Sequence, residues 1–334
     1  MAVALSETAA DTASAPLPSG PRLSTLTRPL RPLALLLRRA AILLLLLVAV
    51  FLAVDLLPGD AATATGERGE SVEERRRLLG LDQPVWQRLW EWLSGLPHGD
   101  LGTSARGEPV TDLLATPFPN TLLLSGLALA LTVAVALVLG CRAALRRGGP
   151  FDRVVSLTST MAIALPEFVI SVGLLLTLSL WTGWLPATTM TGADGSITSW
   201  SMLVMPVLAL AIPQIGWNTR IVRAALADQA ALPHVAAAHL DGLAPTRVLL
   251  RHTLPGALPT IATGLATSTG MLLGGAVVVE SLFNYPGVGT VLSGAIANRD
   301  TPVIVGAAAC TGAAVTLVIL LADLTRARAV GGRS

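Results

Sequence analysis

The chain has 334 residues, of which 52% are hydrophobic and only 13% are charged. Because soluble domains carry about 25% charged residues, this composition indicates an integral membrane protein and excludes an ordinary soluble enzyme. All 23 basic residues are arginine and they form no dense cluster, which argues against nucleic-acid binding.

The N-terminal part of the chain leads into a first membrane span. Residues 1–33 are rich in Ala, Ser, Thr and Pro and are predicted to be a disordered cytoplasmic segment. Residues 34–57 contain an apolar run that is just long enough to cross a bilayer. The centre of this run, Ala40–Val54, also has the length of a signal-peptide core. We favour a retained span because five more apolar segments follow.

Residues 58–117 are predicted to form an extracytoplasmic insert. This stretch holds ten acidic residues and six arginines. Ser71 and Glu74 have the spacing of a capping box, which predicts a short helix that ends at Gly80. Asp82 is a candidate cap for a second helix.

The second helix of the insert is rich in tryptophan. Five apolar residues are predicted to share one side of it: Val85, Trp86, Leu89, Trp90 and Leu93. The cluster of Trp86, Trp90 and Trp92 suits a helix at the level of the lipid headgroups. It suits equally a small hydrophobic core for the insert, and the sequence leaves both interpretations open. A third short helix is predicted to begin near Pro109.

Residues 118–323 are predicted to form a core with five further spans, followed by a cytoplasmic tail at 324–334. The apolar segments that can cross a bilayer are Asn120–Gly140, Val154–Trp181, Ser201–Val222, Leu258–Phe283 and Val303–Asp323. Pro166 and Glu167 interrupt the third span of the chain. Two prolines inside the fourth span are expected to kink it.

The distribution of arginine predicts the orientation of the chain. Sixteen of the 23 arginines lie in the N-terminal segment, the 141–153 loop, the central loop with its flank, and the tail. The opposite side carries seven, six of them in the acidic insert. Because cytoplasmic loops are enriched in basic residues, both termini and the central loop are predicted to be cytoplasmic.

The central loop, residues 223–257, contains two predicted short helices. Three successive alanines favour a helix over residues 234–240 and leave it with almost no side-chain bulk. Gly242 can adopt the left-handed turn that ends this helix, and Pro245 suits the first turn of the next one. A small-surfaced helix outside the bilayer suits docking into a partner's groove, although an ordinary cytoplasmic loop is the alternative.

An ordered set of motifs accompanies this loop. Ala237-Ala238 precede Gly242, and Leu254-Pro255 and Pro259 follow it. Further motifs lie at Leu57–Asp60, Leu79–Pro84, Gly99–Ser104, Arg247–His252, Val277–Phe283 and Pro286–Gly289. In this order, over roughly Arg38 to Asp323, the chain resembles the permeases of ABC importers, and the central loop resembles their "EAA loop". The surrounding motifs are similar to those of the peptide/nickel subfamily and of its first-permease type.

The resemblance implies an all-α integral membrane protein with six transmembrane helices and an external helical insert after the first. It also implies a bacterial cell-membrane subunit that works with a second permease, two ATPases and an extracytoplasmic solute-binding protein. Since the chain has no lysine, it has no phosphate-binding loop of its own, so ATP is expected to bind the partners and no cofactor is expected here. The implied ATPase-coupling residues are Ala237, Ala238, His239, Asp241, Gly242 and Leu243.

Acidic residues inside spans are costly and therefore candidates for function. Glu167, at the break in the third span, is a candidate for the translocation path, and its alternative is a buried pair with a partner subunit. Glu280 matches a family position with an implied structural or gate role. The glycines of the fifth span predict a tight helix seam, and the resemblance implies that this seam lies near the translocation path, which makes Gly270 and Gly274 further path candidates.

The remaining residues leave other classes of function open. A secondary transporter would need inverted repeats and acids at mid-membrane, and only Glu167 fits. An intramembrane hydrolase would need a paired nucleophile and base, and no such cluster lies in the spans. Cys141 and Cys310 have no metal-ligand spacing. The substrate cannot be identified from the sequence: dipeptides, oligopeptides, nickel chelates, opines and glycans all remain possible.

Overall fold

The computed structural model describes residues 30–56, 59–63, 70–190 and 199–331 of the chain. Within these ranges the side chains of 30–32, 70–71 and 325–331 are not described. The described residues are almost entirely helical, and the only strand-like pairing among them is an isolated bridge between Thr103 and Pro109. The predicted N-terminal disordered segment therefore lies mostly outside the described residues.

The helices of the first half alternate between long apolar and short amphipathic elements. In chain order they are α1 (Leu30–Asp55), α2 (Glu70–Leu78), α3 (Val85–Gly95), α4 (Val110–Ala115), α5 (Pro117–Leu145), α6 (Pro150–Ala164) and α7 (Glu167–Leu174). A 3-10 turn, Leu96–His98, follows α3, and α7 continues as a π-helix over Leu175–Trp181.

The second half contains the remaining spans and the helices between them. In chain order they are α8 (Ser201–Ala230), α9 (Pro233–Leu240), α10 (Pro245–Val248), α11 (Leu254–Phe283), α12 (Val288–Ala297) and α13 (Thr301–Gly331). A π-helical turn, Leu249–Thr253, joins α10 to α11.

The observed spans agree with the predicted ones. Five helices are long and apolar enough to cross a membrane, and the α6–α7 pair makes a sixth if its two halves count as one span. This pair bends by 100° at the predicted break, where Pro166 adopts an extended backbone. The preceding residue is extended too, as the steric effect of a following proline requires. α13 continues past the predicted start of the tail at 324.

Helix α8 is the centre of the bundle and is held by close helix contacts. A side chain at Gly216 would lie 2.6 Å from the backbone oxygen of Ser159 in α6. Gly140 of α5 approaches Val222, and Gly264 of α11 approaches Ile221, at distances that no added Cβ would tolerate. Because apolar burial does not favour protein over lipid, small residues that allow such approach stabilise membrane bundles.

The described part of the 58–117 insert packs on the C-terminal end of α1 and the N-terminal end of α13. Phe51 of α1 contacts Trp92 at a ring-centroid distance of 6.4 Å, and the Arg88 guanidinium pairs with Asp55 at the end of α1. The backbone N–H of Ala105 donates to the Asp300 carboxylate at 2.8 Å. These contacts place the insert beside the turn that precedes α13.

Two predicted helix caps in the insert are wrong. α2 begins at Glu70, so Ser71 lies inside its first turn instead of at the N-cap. α3 begins at Val85, its N-cap is Pro84 instead of Asp82, and it has no side-chain cap. Gly80 ends the first short helix with a φ of +64°, as predicted.

The tryptophans of α3 divide between the two interpretations of the sequence. Trp92 is only 7% exposed and its indole N–H donates to the Leu101 carbonyl at 3.0 Å. Trp86 and Trp90 are 75% and 72% exposed, so the core of the protein covers only part of the side on which the sequence places them. The buried side passes through Val85, Leu89 and Trp92, the i, i+4, i+7 spacing of one helix face. Helix α12, which the sequence analysis did not predict, fills the outer loop before α13.

Candidate functional site

The two short helices of the central loop form a compact hairpin. Val235, Ala238 and Val248 are buried against one another, and Leu243 of the intervening turn packs on them. Gly242 has a φ of +75°, which glycine adopts without strain, and its N–H donates to the His239 carbonyl at 3.1 Å. The predicted helix, stop and restart are therefore all confirmed.

The outer surface of α9 is small and exposed. Ala237, His239 and Asp241 are exposed at its end, and Leu240 projects from it with 89% of its surface accessible. Ala238 is buried in the hairpin. It therefore supports α9 from within the hairpin. Leu240, which the sequence analysis did not single out, is the largest apolar group there.

An ion pair braces the inner end of the bundle where this hairpin is attached. Asp152 of α6 is almost fully buried and accepts two hydrogen bonds from the Arg223 guanidinium of α8, of which the Nη2 bond is 2.9 Å long. The backbone N–H of Gly148 donates to the same carboxylate at 2.9 Å. Sequence analysis counted these residues only as loop charges, because their pairing spans 71 positions.

The hairpin is also tied to α11 through a close approach. A side chain at Gly256 would lie 2.1 Å from Oε1 of Gln229, near the end of α8. The lower end of α11 therefore lies directly against the segment that leads into α9. A force on α9 is expected to reach both α8 and α11, because rigid elements in contact move together.

The Glu280 carboxylate organises the outer end of α11. Its side chain is completely buried; Oε1 accepts from the Thr121 hydroxyl and Oε2 from the Gly289 N–H, both at 2.6 Å. The Thr121 hydroxyl in turn accepts from the Val288 N–H at 2.8 Å. The Tyr285 hydroxyl donates to the Asn120 carbonyl at 2.8 Å. Glu280 therefore fastens the turn between α11 and α12 onto the start of α5.

Glu167 has a different environment from Glu280. It is half-buried at the start of α7, and its carboxylate lies against Gly275 of α11. Among the described residues, no cation or hydrogen-bond donor reaches this carboxylate; only its backbone carbonyl accepts, from Ser171.

The exposed side of α11 is a stripe that carries three threonines and a glycine together with two apolar residues, Met271 and Val278. Its members follow the 3.6-residue period of a helix face and are Thr260, Thr263, Thr267, Met271, Gly274 and Val278. Gly264 and Gly275 make the predicted close contacts, but a side chain at Gly274 would meet nothing within 4 Å. A Cβ added at Gly270 would lie 3.5 Å from Cγ1 of Val315 in α13. Both Gly270 and Gly274 border a groove of about 550 Å³ between α1, α11 and α13.

None of these features forms a metal centre. Within the described ranges, no group of three or more His, Cys, Asp or Glu side chains could hold a metal ion.

Comparison with known proteins places this arrangement in a family. Residues 136–329 match the family described as the binding-protein-dependent transport system inner membrane component. A protein of Brucella abortus (strain 2308) named as a peptide transport system permease is 33% identical over 87% of this chain and 96% of its own. The glutathione transport system permease protein GsiC of Pectobacterium atrosepticum is 34% identical over 84% of this chain and 91% of its own.

The fold has a counterpart among solved structures. The crystal structure of an amino acid ABC transporter covers 65% of this chain and 94% of its own, with 20% identity and a TM-score of 0.50. The matched family covers more than half of the chain, which sets aside the secondary-transporter and hydrolase alternatives. The chain belongs to the family of binding-protein-dependent inner membrane transport components: it is a multi-pass permease subunit of an ABC importer, a non-catalytic subunit that works with ATPase and binding-protein partners.

Proposed function

We propose that this permease carries peptides, or small solutes related to them, from a solute-binding protein to the cytoplasm by alternating access. The relatives named above transport peptides and glutathione, which supports this class of substrate. The complex contains a second permease and two ATPases, which bind the ATP. The binding protein docks on the insert and the outer loops, including the turn that Glu280 fastens.

The observation that carries the proposal is the exposed end of α9. Its residues offer a partner the shape of a small helix with one projecting leucine, Leu240, and few charges. Where the resemblance leads one to expect basic residues, this chain has Ala236, His239 and Asp241. Contact with the ATPase therefore depends on shape more than on charge, with Ala237, His239, Asp241 and Gly242 at the contact and Ala238 and Leu243 beneath it.

The proposed orientation puts α9 and both termini in the cytoplasm. It is supported by the arginine bias of the loops and by the position of the hairpin. α9 lies at the same end of the bundle as the 141–153 loop, since Arg223 beside the hairpin pairs with Asp152.

The proposed translocation path runs along the exposed stripe of α11. Small and hydroxyl-bearing side chains facing away from the bundle are unusual on a lipid-facing surface, which supports a path at the junction with the second permease. Glu167 and Gly274 border this path. Glu280, buried behind the Thr121 hydroxyl, acts as the fixed support of its outer end.

Reconstitution of the complete transporter in proteoliposomes tests the proposal. Coupling between distant sites is reciprocal, so loaded binding protein outside is expected to stimulate ATP hydrolysis inside, and ATP to drive peptide accumulation. Cysteine at Leu240 is expected to cross-link to the ATPase. Peptide accumulation by the permease without an ATPase, or labelling of Asp241→Cys only from the outside, would contradict the proposal.

A further inference from the structure

Glu167 carries a carboxylate at membrane depth that no described residue balances. Three other acids near the ends of spans have partners: Asp55 pairs with Arg88, Asp323 with Arg39 at 2.8 Å, and Asp152 with Arg223. The Glu167 oxygens accept no hydrogen bond from any described group. Since an isolated charge in a membrane is costly, this position suits a cation or a donor that is not among the described residues.

The bundle leaves room for this carboxylate. A Cβ built on Gly275 of α11 would lie 2.8 Å from Oε1 and 2.9 Å from Cδ of Glu167. Any larger residue at 275 would push the carboxylate out of its place. The break after Pro166 brings Glu167 to this position, because the 100° bend turns the start of α7 toward α11.

The carboxylate lies at the edge of the exposed stripe of α11. On a helix, Gly275 is next to Met271 and Val278, one turn below and above it on the adjoining side. Both of these side chains are exposed, as is Gly274. A solute that moves along the stripe therefore passes within reach of Glu167.

We propose that Glu167 binds the ammonium group of a peptide during its passage. This inference rests on the proposed function. Free peptides differ in their side chains but share an α-amino group that is largely protonated near neutral pH. A carboxylate–ammonium hydrogen bond is strong when water is scarce. A single acid on the path thus recognises the feature common to this class of solute.

The test uses the complete transporter in proteoliposomes with radiolabelled dialanine as the probe. Glu167→Gln is expected to lower ATP-driven uptake at limiting dialanine about tenfold, the size expected for losing a hydrogen bond to a charged group. Glu167→Asp should retain most of the uptake, and Gly275→Val should behave like Glu167→Gln. Asp228→Asn, which removes an exposed carboxylate from α8, is the matched control and should leave uptake unchanged.

Further measurements separate the possible causes. Stimulation of ATP hydrolysis by loaded binding protein and co-purification of the second permease should both survive in Glu167→Gln. Dissociation of the second permease would overturn the inference and indicate an ion pair between subunits. Unchanged uptake by Glu167→Gln would overturn the role of Glu167 but leave the proposed function intact. Absence of ATP-driven uptake by the unaltered transporter would overturn both.

Discussion

At the scale of single residues, Glu280 shows how one buried acid supports a whole turn. Its two carboxylate oxygens accept from Thr121 and Gly289, and an added side chain at Gly287 would come within 2.3 Å of the carboxyl carbon. The Glu280 side chain is completely buried, so a polar group that loses its partner there is costly.

We predict that Glu280→Gln lowers the stability of the folded protein by about 2 kcal/mol, because an amide can accept only one of the two bonds and leaves its own N–H₂ group unsatisfied. The check is the midpoint of thermal unfolding in detergent. Glu108→Gln, at an exposed acid of the insert, is the control. Equal midpoints for the two variants would contradict the structural role.

A second prediction concerns the ion pair between Asp152 of α6 and Arg223 of α8. Asp152→Asn is expected to reduce stability by about 1–3 kcal/mol, a range below that of a fully buried pair because Arg223 is partly exposed. Asp152→Asn should also reduce transport per ATP, since the pair fixes the end of α8 that connects to α9. A double-mutant cycle with Arg223→Gln measures the coupling. Asp228→Asn, an exposed acid on α8, should change neither quantity.

A third prediction concerns pH and the insert. Burial alone would raise the pKa of Asp60, but hydrogen bonds from Arg76 and Thr63 and the charge of Arg76 outweigh it and hold the pKa below its usual range. A group with a lowered pKa stabilises the folded state above its unfolded pKa and loses this effect as pH falls through the folded one. The local stability of residues 59–63 and 70–76 should therefore decline only below about pH 4. Hydrogen exchange can follow this decline, and Asp60→Asn should abolish its pH dependence.

At the scale of elements, the turn after α9 is the most sensitive part of the coupling surface. We predict that Gly242→Pro lowers transport per ATP at least tenfold while the protein still reaches the membrane. Proline cannot adopt a φ of +75°, and it removes the N–H that bonds His239. The measurement is peptide uptake against ATP hydrolysis in proteoliposomes.

Gly107 provides the matched control for this variant. It has a φ of +82°, nothing within 4 Å of an added Cβ, and the same kind of N–H bond, to Ser104. Because it lies in the insert, Gly107→Pro should carry similar strain without uncoupling. Normal uptake per ATP in Gly242→Pro would contradict the role of α9.

Helix α3 is the other element with a testable position. Its buried side packs on α1, which leaves Trp86 and Trp90 exposed beside the outer end of that span. Other exposed tryptophans, Trp181, Trp184 and Trp200, lie at the outer ends of α7 and α8. Because tryptophan prefers the membrane–water interface, we predict that α3 lies among the headgroups.

Nitroxide labels measure this depth. In lipid nanodiscs, labels at 86 and 90 should be more accessible to oxygen than to a water-soluble nickel chelate. A label at Gln87, on the polar side of α3, should show the reverse. Equal accessibility at all three positions would place α3 in water.

At the scale of the whole molecule, family membership and geometry together explain how a chain without an ATP site can be driven by ATP. The glycine contacts of α8 make α5, α6, α8 and α11 a closely packed unit, and the α9 hairpin is attached to that unit at one end. Movement of the hairpin therefore shifts helices whose other ends carry the Glu280 turn and the insert. In the proposed orientation, this is the physical basis for coupling an ATPase at the hairpin to a binding protein at the opposite end.

The sequence by itself determined the spans, their number and the break at Pro166, because apolar length and proline chemistry act locally and need no partner. It also determined the α9–Gly242–α10 hairpin, since alanine, glycine and proline have strong backbone preferences. The ordered motifs also identified the family, because a motif is recognised along the chain without any tertiary contact.

Only the tertiary structure decided which residues meet. Three contacts join positions far apart in the chain: Asp152 pairs with Arg223, Glu280 accepts from Thr121, and the Glu167 carboxylate lies against Gly275. Trp92 and Ala238 are buried, whereas Trp86 and Trp90 are exposed. This difference depends on which face of each helix is covered by neighbouring elements. Periodicity indicates that a helix has faces, but the surface that buries one of them comes from distant segments, whose approach no local pattern records.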